Sequence, residues 1–170
     1  MEALVDELPV RLAARGGHIP SAFLNALQSP ESDQNDRSRH HIAFLNPQTA
    51  GWLLDAGSRR LRRVFRNTGV PLTAVEAYVS VRNDEPALEA ALAWYRAPEA
   101  LRTALGLIVV PTLYIWGDQD STVSRLAAEG TASYVSAAYR FEVLAGIGHF
   151  ITDQAPGRVN QLLLEHLAHR

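Results

Sequence analysis

The apolar positions of this chain change period partway along it. Before Arg102 they recur at helical spacing; beyond it they form one continuous run and then one alternating run. In the first sixteen residues, "MEALVDELPVRLAARG", Leu4, Leu8, Val10 and Leu12 fit no clean period, and Gly16, Gly17 and Pro20 then break the chain. "SAFLNAL" reads as a short helix, and Ser29 to Arg39 as a polar loop or frayed helix start. Three helical segments follow: about His41 to Leu54, interrupted near Pro47; about Ser58 to Arg66; and one beginning after Thr73. There Thr73 and Glu76 form a T-x-x-E capping box, in which hydroxyl and carboxylate each satisfy one free amide. A fourth helix starts at Asp84 and aligns Leu88, Ala91, Leu92 and Tyr95 on one face.

Past Arg102, "GLIVVPTLYIWG" is apolar throughout and is closed by "GDQD", the pattern of a strand buried on both faces of a parallel sheet. A helix is expected from about Thr122 to Val135. In "YRFEVLA", Tyr139, Phe141 and Val143 alternate with Arg140 and Glu142, which predicts a strand with one more exposed face. A last helix starts near Pro156, a favoured early position, with Val159, Leu162, Leu163 and Leu167 as its core face. Strand, helix, strand, helix is a βαβα unit with a parallel crossover. The fold class is therefore α/β: a helical half followed by part of a sheet, with no internal repeat.

Composition narrows the function classes. A chain of 170 residues, 47% apolar, suits one domain or a domain with an inserted subdomain. No apolar run approaches the length of a membrane span and no signal-peptide pattern opens the chain, so a cytoplasmic protein with no membrane partner is expected. A net charge of −2 argues against nucleic acid as a partner. There is no cysteine, hence no disulfide, thiolate metal site or cysteine nucleophile. All 16 basic residues are arginine, which leaves no lysine for a phosphate loop or a Schiff base. No spacing of His, Asp and Glu suggests a metal, and no cofactor is expected. "SRRLRRVFR", with five arginines, reads as a solvated helix face. His166 and His169 sit near the end of the last helix, where cations suit the dipole.

In a parallel α/β sheet, sites lie beyond the carboxyl ends of the strands. The first candidate strand ends in Gly117-Asp118-Gln119-Asp120 and the second in Gly146-Ile147-Gly148-His149. Adjacent parallel strands bring these loops together. A carboxylate beside an imidazole fixes its tautomer and stabilises its charged form. Singly, Asp120 would be a helix cap and His149 a packed loop histidine. Together, at matching strand ends, they point to an acid–base pair.

These residues resemble the C-terminal part of an α/β-hydrolase. "VPTLYIWGDQD" and "LAGIGHFITDQAPGRVNQLLLEHL" correspond to the acid after the seventh strand and the histidine after the eighth. The resemblance implies Asp120 as acid, with Asp118 as second choice, and His149 as base. The "HF" before an acidic, Pro-containing helix start is similar to the epoxide hydrolase and haloalkane dehalogenase branch. "ALEAALAWYRA" resembles the end of the epoxide hydrolase cap, which implies that Tyr95 donates a hydrogen bond to an epoxide oxygen. Simple packing at a helix end is the equal alternative for Trp94 and Tyr95. "HIPSAFLNAL" resembles the entry into the cap. The implied domains are residues 1–17 as core before the cap, 18–104 as a helical cap, and 105–170 as the C-terminal part of the core.

Two departures stand out. Where such enzymes carry a second cap tyrosine, this chain has "RHHIAFLNP", with His41 at the corresponding place; His40 and His41 read as a solvated helix end. No G-x-S-x-G or G-x-D-x-G elbow exists: "LLDAG" around Asp55 has leucine where a small residue is needed, and "TASYV" around Ser133 lies in a helical pattern. An early His-Gly oxyanion turn is also lacking. The chain is thus expected to be a truncated epoxide hydrolase-type enzyme with a nucleophile–His–acid mechanism, a covalent ester intermediate and a small hydrophobic substrate, but without its nucleophile. Esterase, haloalkane dehalogenase or carbon–carbon hydrolase chemistry on the same scaffold is the first alternative, and a catalytically inactive remnant the second. An incomplete sheet would also expose an edge for self-association.

Overall fold

The computed structural model describes residues 32–96 and 107–168. The expected segment 1–17, the short helix of "SAFLNAL" and the end of the cap up to residue 104 lie outside the described residues. The helical half comprises α1 (Gln34–Arg37), α2 (Arg39–Leu45), α3 (Thr49–Asn67), α4 (Leu72–Ser80) and α5 (Glu85–Leu92), the last running into a 3-10 turn over Ala93–Arg96. Then come β1 (Thr112–Gly117), α6 (Arg125–Gly130), a 3-10 turn over Thr131–Tyr134, β2 (Tyr139–Leu144), α7 (Ile151–Gln154) and α8 (Pro156–Ala168). The two strands pair in parallel, from Thr112 opposite Tyr139 to Gly117 opposite Leu144. The architecture is the expected α/β order.

Local chemistry sets the element ends. Asp84 caps α5 by accepting from the Ala87 amide at 2.8 Å, with proline in the first turn. Long α3 is two helices in one: Asp55 is extended, and Ala56, Gly57 and Ser58 take positive φ of 53°, 70° and 61°. That break separates the two segments the apolar pattern had also separated. It places Asp55 on the surface, its carboxylate 2.7 Å from Arg60.

Several expectations need correction. The Thr73–Glu76 capping box does not form: Pro71, locked in φ, starts α4 earlier, and Glu76 instead pairs with Arg62 at 2.9 Å. The "SRRLRRVFR" face lies at the surface as expected, and there Arg62 pairs with Glu76 while Arg60 pairs with Asp55 and lies over the Trp52 ring. The strand begins at Thr112 rather than near Leu107, because Pro111 has no amide for the ladder; upstream, Ile108 makes one isolated bridge to Val135. The helix expected from Thr122 begins only at Arg125, capped by Ser124, because the Asp120 carboxylate holds the Thr122 and Val123 amides in the preceding turn. On α8, Val159 and Leu162 are buried, but Leu163 and Leu167 remain 42% and 36% exposed. Two described strands cover only part of the apolar face that α8 offers.

Two cores result. The helical layer closes on Ala50, Leu53, Leu61, Val75, Val79 and Leu88, with Tyr95 and Phe150 packed against them. The sheet layer closes on Leu144, Val159 and Leu162 with Leu113 and Ile115. Phe150, next to His149, thus anchors the end of the sheet layer in the core of the helical layer. Its ring meets Phe65 edge-on, with centroids 5.9 Å apart.

Candidate active site

The two strand-end loops meet because one position between them has no side chain. A Cβ on Gly117 would fall 2.1 Å from the Ile147 carbonyl oxygen and 2.7 Å from that of Gly148. The His149 loop passes directly over the end of β1, and only glycine allows it. Gly146 supplies the sharp turn at φ 73°. Asp118 braces the crossing: its carboxylate accepts from the Gly146 amide at 2.7 Å.

Across this junction His149 Nδ1 lies 3.1 and 3.0 Å from the two carboxylate oxygens of Asp120. Asp120, and not Asp118, is thus the carboxylate that faces the imidazole. It is 4% exposed and also accepts from the amides of Thr122 at 2.7 Å and Val123 at 2.9 Å. Burial opposes its ionisation. The bond from His149, the two amides and the attraction of the imidazolium outweigh that cost and hold its pKa below the ordinary value. An ionised Asp120 acts only as an acceptor, so Nδ1 carries a proton, and in the neutral ring the lone pair is on Nε2. The His149 side chain is 37% exposed against 6% for Asp120, which leaves a ring able to meet water backed by a sheltered carboxylate. A basic nitrogen of this kind can take a proton from a water molecule.

His40, expected to be solvated, is half-buried. Its ring meets Phe44 at 5.4 Å and Tyr95 at 6.4 Å, both edge-on, and its Nδ1 donates to the Arg37 carbonyl at 2.9 Å. Burial lowers its pKa, and a positive His149 lowers it further, while the Arg37 carbonyl acts the other way. His40 therefore touches the Tyr95 ring and also feels the charge of His149. One sequence signal for this existed: His40 and Phe44 are four residues apart and share a helix face. The His41 side chain lies outside the described residues.

Tyr95 sits in the 3-10 turn after α5, its ring 4.7 Å from Phe44 in an edge-on contact. Burial raises its pKa, which keeps the phenol protonated and able to donate. Among the described residues no group of three His, Asp or Glu is placed to hold a metal ion, and no helix is long and apolar enough to cross a membrane.

No protein-family model matches the chain. Among curated proteins it is 30% identical to human epoxide hydrolase 4 over 90 residues, which is 52% of this chain and 25% of that protein. It is 28% identical to Xenopus tropicalis epoxide hydrolase 3 over 94 residues, 55% of this chain and 26% of the relative. A shorter match, 35% over 60 residues, is to epoxide hydrolase A of Mycobacterium tuberculosis, 35% of this chain and 19% of that one. The structure superimposes on a variant of an epoxide hydrolase from Bacillus megaterium with a TM-score of 0.69 at 21% identity, over 86% of this chain and 56% of that chain. Cfl2 from Burkholderia cenocepacia gives 0.65 at 21%, over 81% of this chain and 50% of that one. This chain thus spans about a quarter of the curated relatives and about half of the solved ones. It is distantly similar to the epoxide hydrolases, over part of their length, and has the corresponding part of the α/β-hydrolase fold.

Proposed function

We propose that this chain carries the acid–base half of an epoxide hydrolase-type site. The observation that carries the proposal is the contact of His149 Nδ1 with both oxygens of a sheltered Asp120. Asp120 orients the ring and stabilises it once charged. His149 Nε2 takes a proton from water, and the resulting hydroxide hydrolyses a covalent ester between substrate and nucleophile. Tyr95, protonated and partly buried, donates a hydrogen bond to the oxygen of a small hydrophobic epoxide as the ring opens. Residues 18–104 act as the cap over this site, and 105–170 as the base beneath it.

The nucleophile is the piece these 170 residues do not supply, since no G-x-S-x-G or G-x-D-x-G elbow occurs in them. Asp55, the most elbow-like candidate, is exposed and held by Arg60. The expected outcome for the chain alone is no turnover of epoxides, haloalkanes or p-nitrophenyl esters beyond that of a His149→Ala control. The control is needed because an imidazole hydrolyses activated esters slowly by itself. A robust rate lost in His149→Ala would show that the chain holds its own nucleophile and would overturn this part of the proposal.

A further inference from the structure

Two glutamines tie the helical layer to the two loops that carry the acid and the base. Gln34, on α1, is fully buried. Its Nε2 donates to the Thr122 carbonyl at 2.7 Å and to Ser38 Oγ at 3.0 Å, and its Oε1 accepts from the Ser124 amide at 2.8 Å. It therefore grips the stretch Thr122–Ser124, which overlaps the turn that Asp120 closes with its own carboxylate. Arg37, one helical turn on, donates to the Asp120 carbonyl itself.

Gln154, at the end of α7, does the same for the base. Its Oε1 accepts from the Gly148 amide, adjacent to His149, at 2.8 Å. Its Nε2 donates to the Thr68 carbonyl, just past α3, at 2.9 Å. Gly69 and Gly148 both lie tight against this side chain, where an added Cβ would come within 3.0 and 3.2 Å of the amide nitrogen. Beside it, Tyr78 of α4 donates to the Asp153 carboxylate at 2.9 and 3.0 Å.

Each bridge joins a backbone group of a site loop to the helical layer through one primary amide. An amide suits this position, because it donates and accepts at once and carries no charge to disturb Asp120 or His149. A glutamate would lose the donor, and an alanine would leave buried backbone groups unpaired.

Resting on the Asp120–His149 assignment above, we infer that Gln34 and Gln154 are positioning residues that make the geometry of this pair depend on docking of the helical layer. When the layer is seated, the turn before α6 and the loop before α7 are each held from above, and Nδ1 faces the carboxylate. When it lifts, both loops lose an anchor together, and the pair loosens without any change in its own residues. A device of this kind confines a competent base to the closed state of the site.

The test reads the pair directly, on the full chain, by nitrogen-15 and proton NMR of the His149 ring. With the ring neutral, the parent protein is expected to show a slowly exchanging Nδ1 proton and an unprotonated Nε2. Gln34→Ala and Gln154→Ala, each with an otherwise dispersed backbone spectrum, are expected to exchange that proton at least about tenfold faster. Gln161→Ala, which removes only a surface bond to Glu165, is expected to leave it unchanged. Where an alanine variant fails to fold, Gln34→Glu serves instead: it keeps the acceptor for Ser124 and loses the donor to Thr122. The same acceleration is expected there. An unchanged Nδ1 proton in folded Gln34→Ala or Gln154→Ala, or in Gln34→Glu when it stands in, would overturn the inference and leave the pair intact. A neutral parent ring carrying its proton on Nε2 instead of Nδ1 would overturn the pair itself, and the inference with it.

Discussion

His149 presents Nδ1 to both oxygens of Asp120, at 3.1 and 3.0 Å, from a loop that follows the neighbouring strand. The pair exists because two parallel strands end at the same level, at Gly117 and Leu144, and their loops cross over a residue without a side chain.

The crossing makes Gly117 a sensitive position. A methyl group there would meet backbone rather than a side chain that can swing away. Gly117→Ala is expected to cost about 3 kcal/mol, the upper part of the usual overpacking range. Denaturant unfolding measures that loss. The His149 Nδ1 proton is expected to exchange faster in the same variant, because the loop must lift. Stability within about 0.5 kcal/mol of the parent would contradict the crossing.

Asp120 links stability to acid. Its pKa is lower in the folded chain than in the unfolded one, so its contribution is present above the ordinary aspartate value of about 3.9. The contribution is lost as pH falls through the lowered folded value. Asp120→Asn is expected to be less stable than the parent by about 1–3 kcal/mol near neutrality, the range for disturbing a buried hydrogen-bonded group. The difference is expected to shrink below about pH 4. Parallel stability curves across this range would contradict the assignment.

His40 acts in a higher window. Its folded pKa is lowered, first by burial and then by the charge on His149. The stability it contributes is therefore fully present above the unfolded histidine value of about 6.5 and is lost as pH falls through the lower folded value. His40→Asn is expected to flatten the decline in melting temperature as pH falls below about 6.5. A decline as steep as the parent's would show that His40 is solvated after all.

The sheet carries a separate expectation. Among the described residues β1 pairs only with β2, and Val109, Leu164 and Leu107 are 76%, 69% and 55% exposed. Covering a few hundred Å² of such surface is worth several kcal/mol at roughly 25 cal/mol per Å². We propose that the isolated chain self-associates through this edge at tens of micromolar, with light scattering reporting a mass above the monomer. A monomer that binds no hydrophobic dye and unfolds sharply would contradict this.

What the sequence made legible follows from what periodicity can carry. The strand ends, and hence Asp120 and His149, stand out because an apolar run stops at a polar residue. The preference for Asp120 over Asp118 as the acid rests there on resemblance, since both lie in the same loop. Only the crossing at Gly117 assigns Asp118 to the Gly146 amide and Asp120 to the imidazole. Gln34 was not legible at all. A polar residue in a polar stretch, whose partners are backbone groups of Thr122 and Ser124, leaves no mark on spacing or composition. The T-x-x-E pattern at Thr73 misled for a related reason: a local cap competes with distant partners, and the Arg62 guanidinium took Glu76.

The central claim is that His149, oriented by Asp120, is the base that resolves a covalent ester formed on a nucleophile supplied from outside these residues. The direct measurement joins this chain to the part of the Bacillus megaterium epoxide hydrolase that lies outside the superimposed region, and weighs the protein by intact mass spectrometry after mixing with an epoxide. The account predicts that the fusion turns the epoxide over, and that His149→Ala in the fusion accumulates an adduct of substrate mass and loses turnover by about 10²–10⁴-fold. Equal turnover with and without the His149 imidazole, and no trapped adduct, would contradict it.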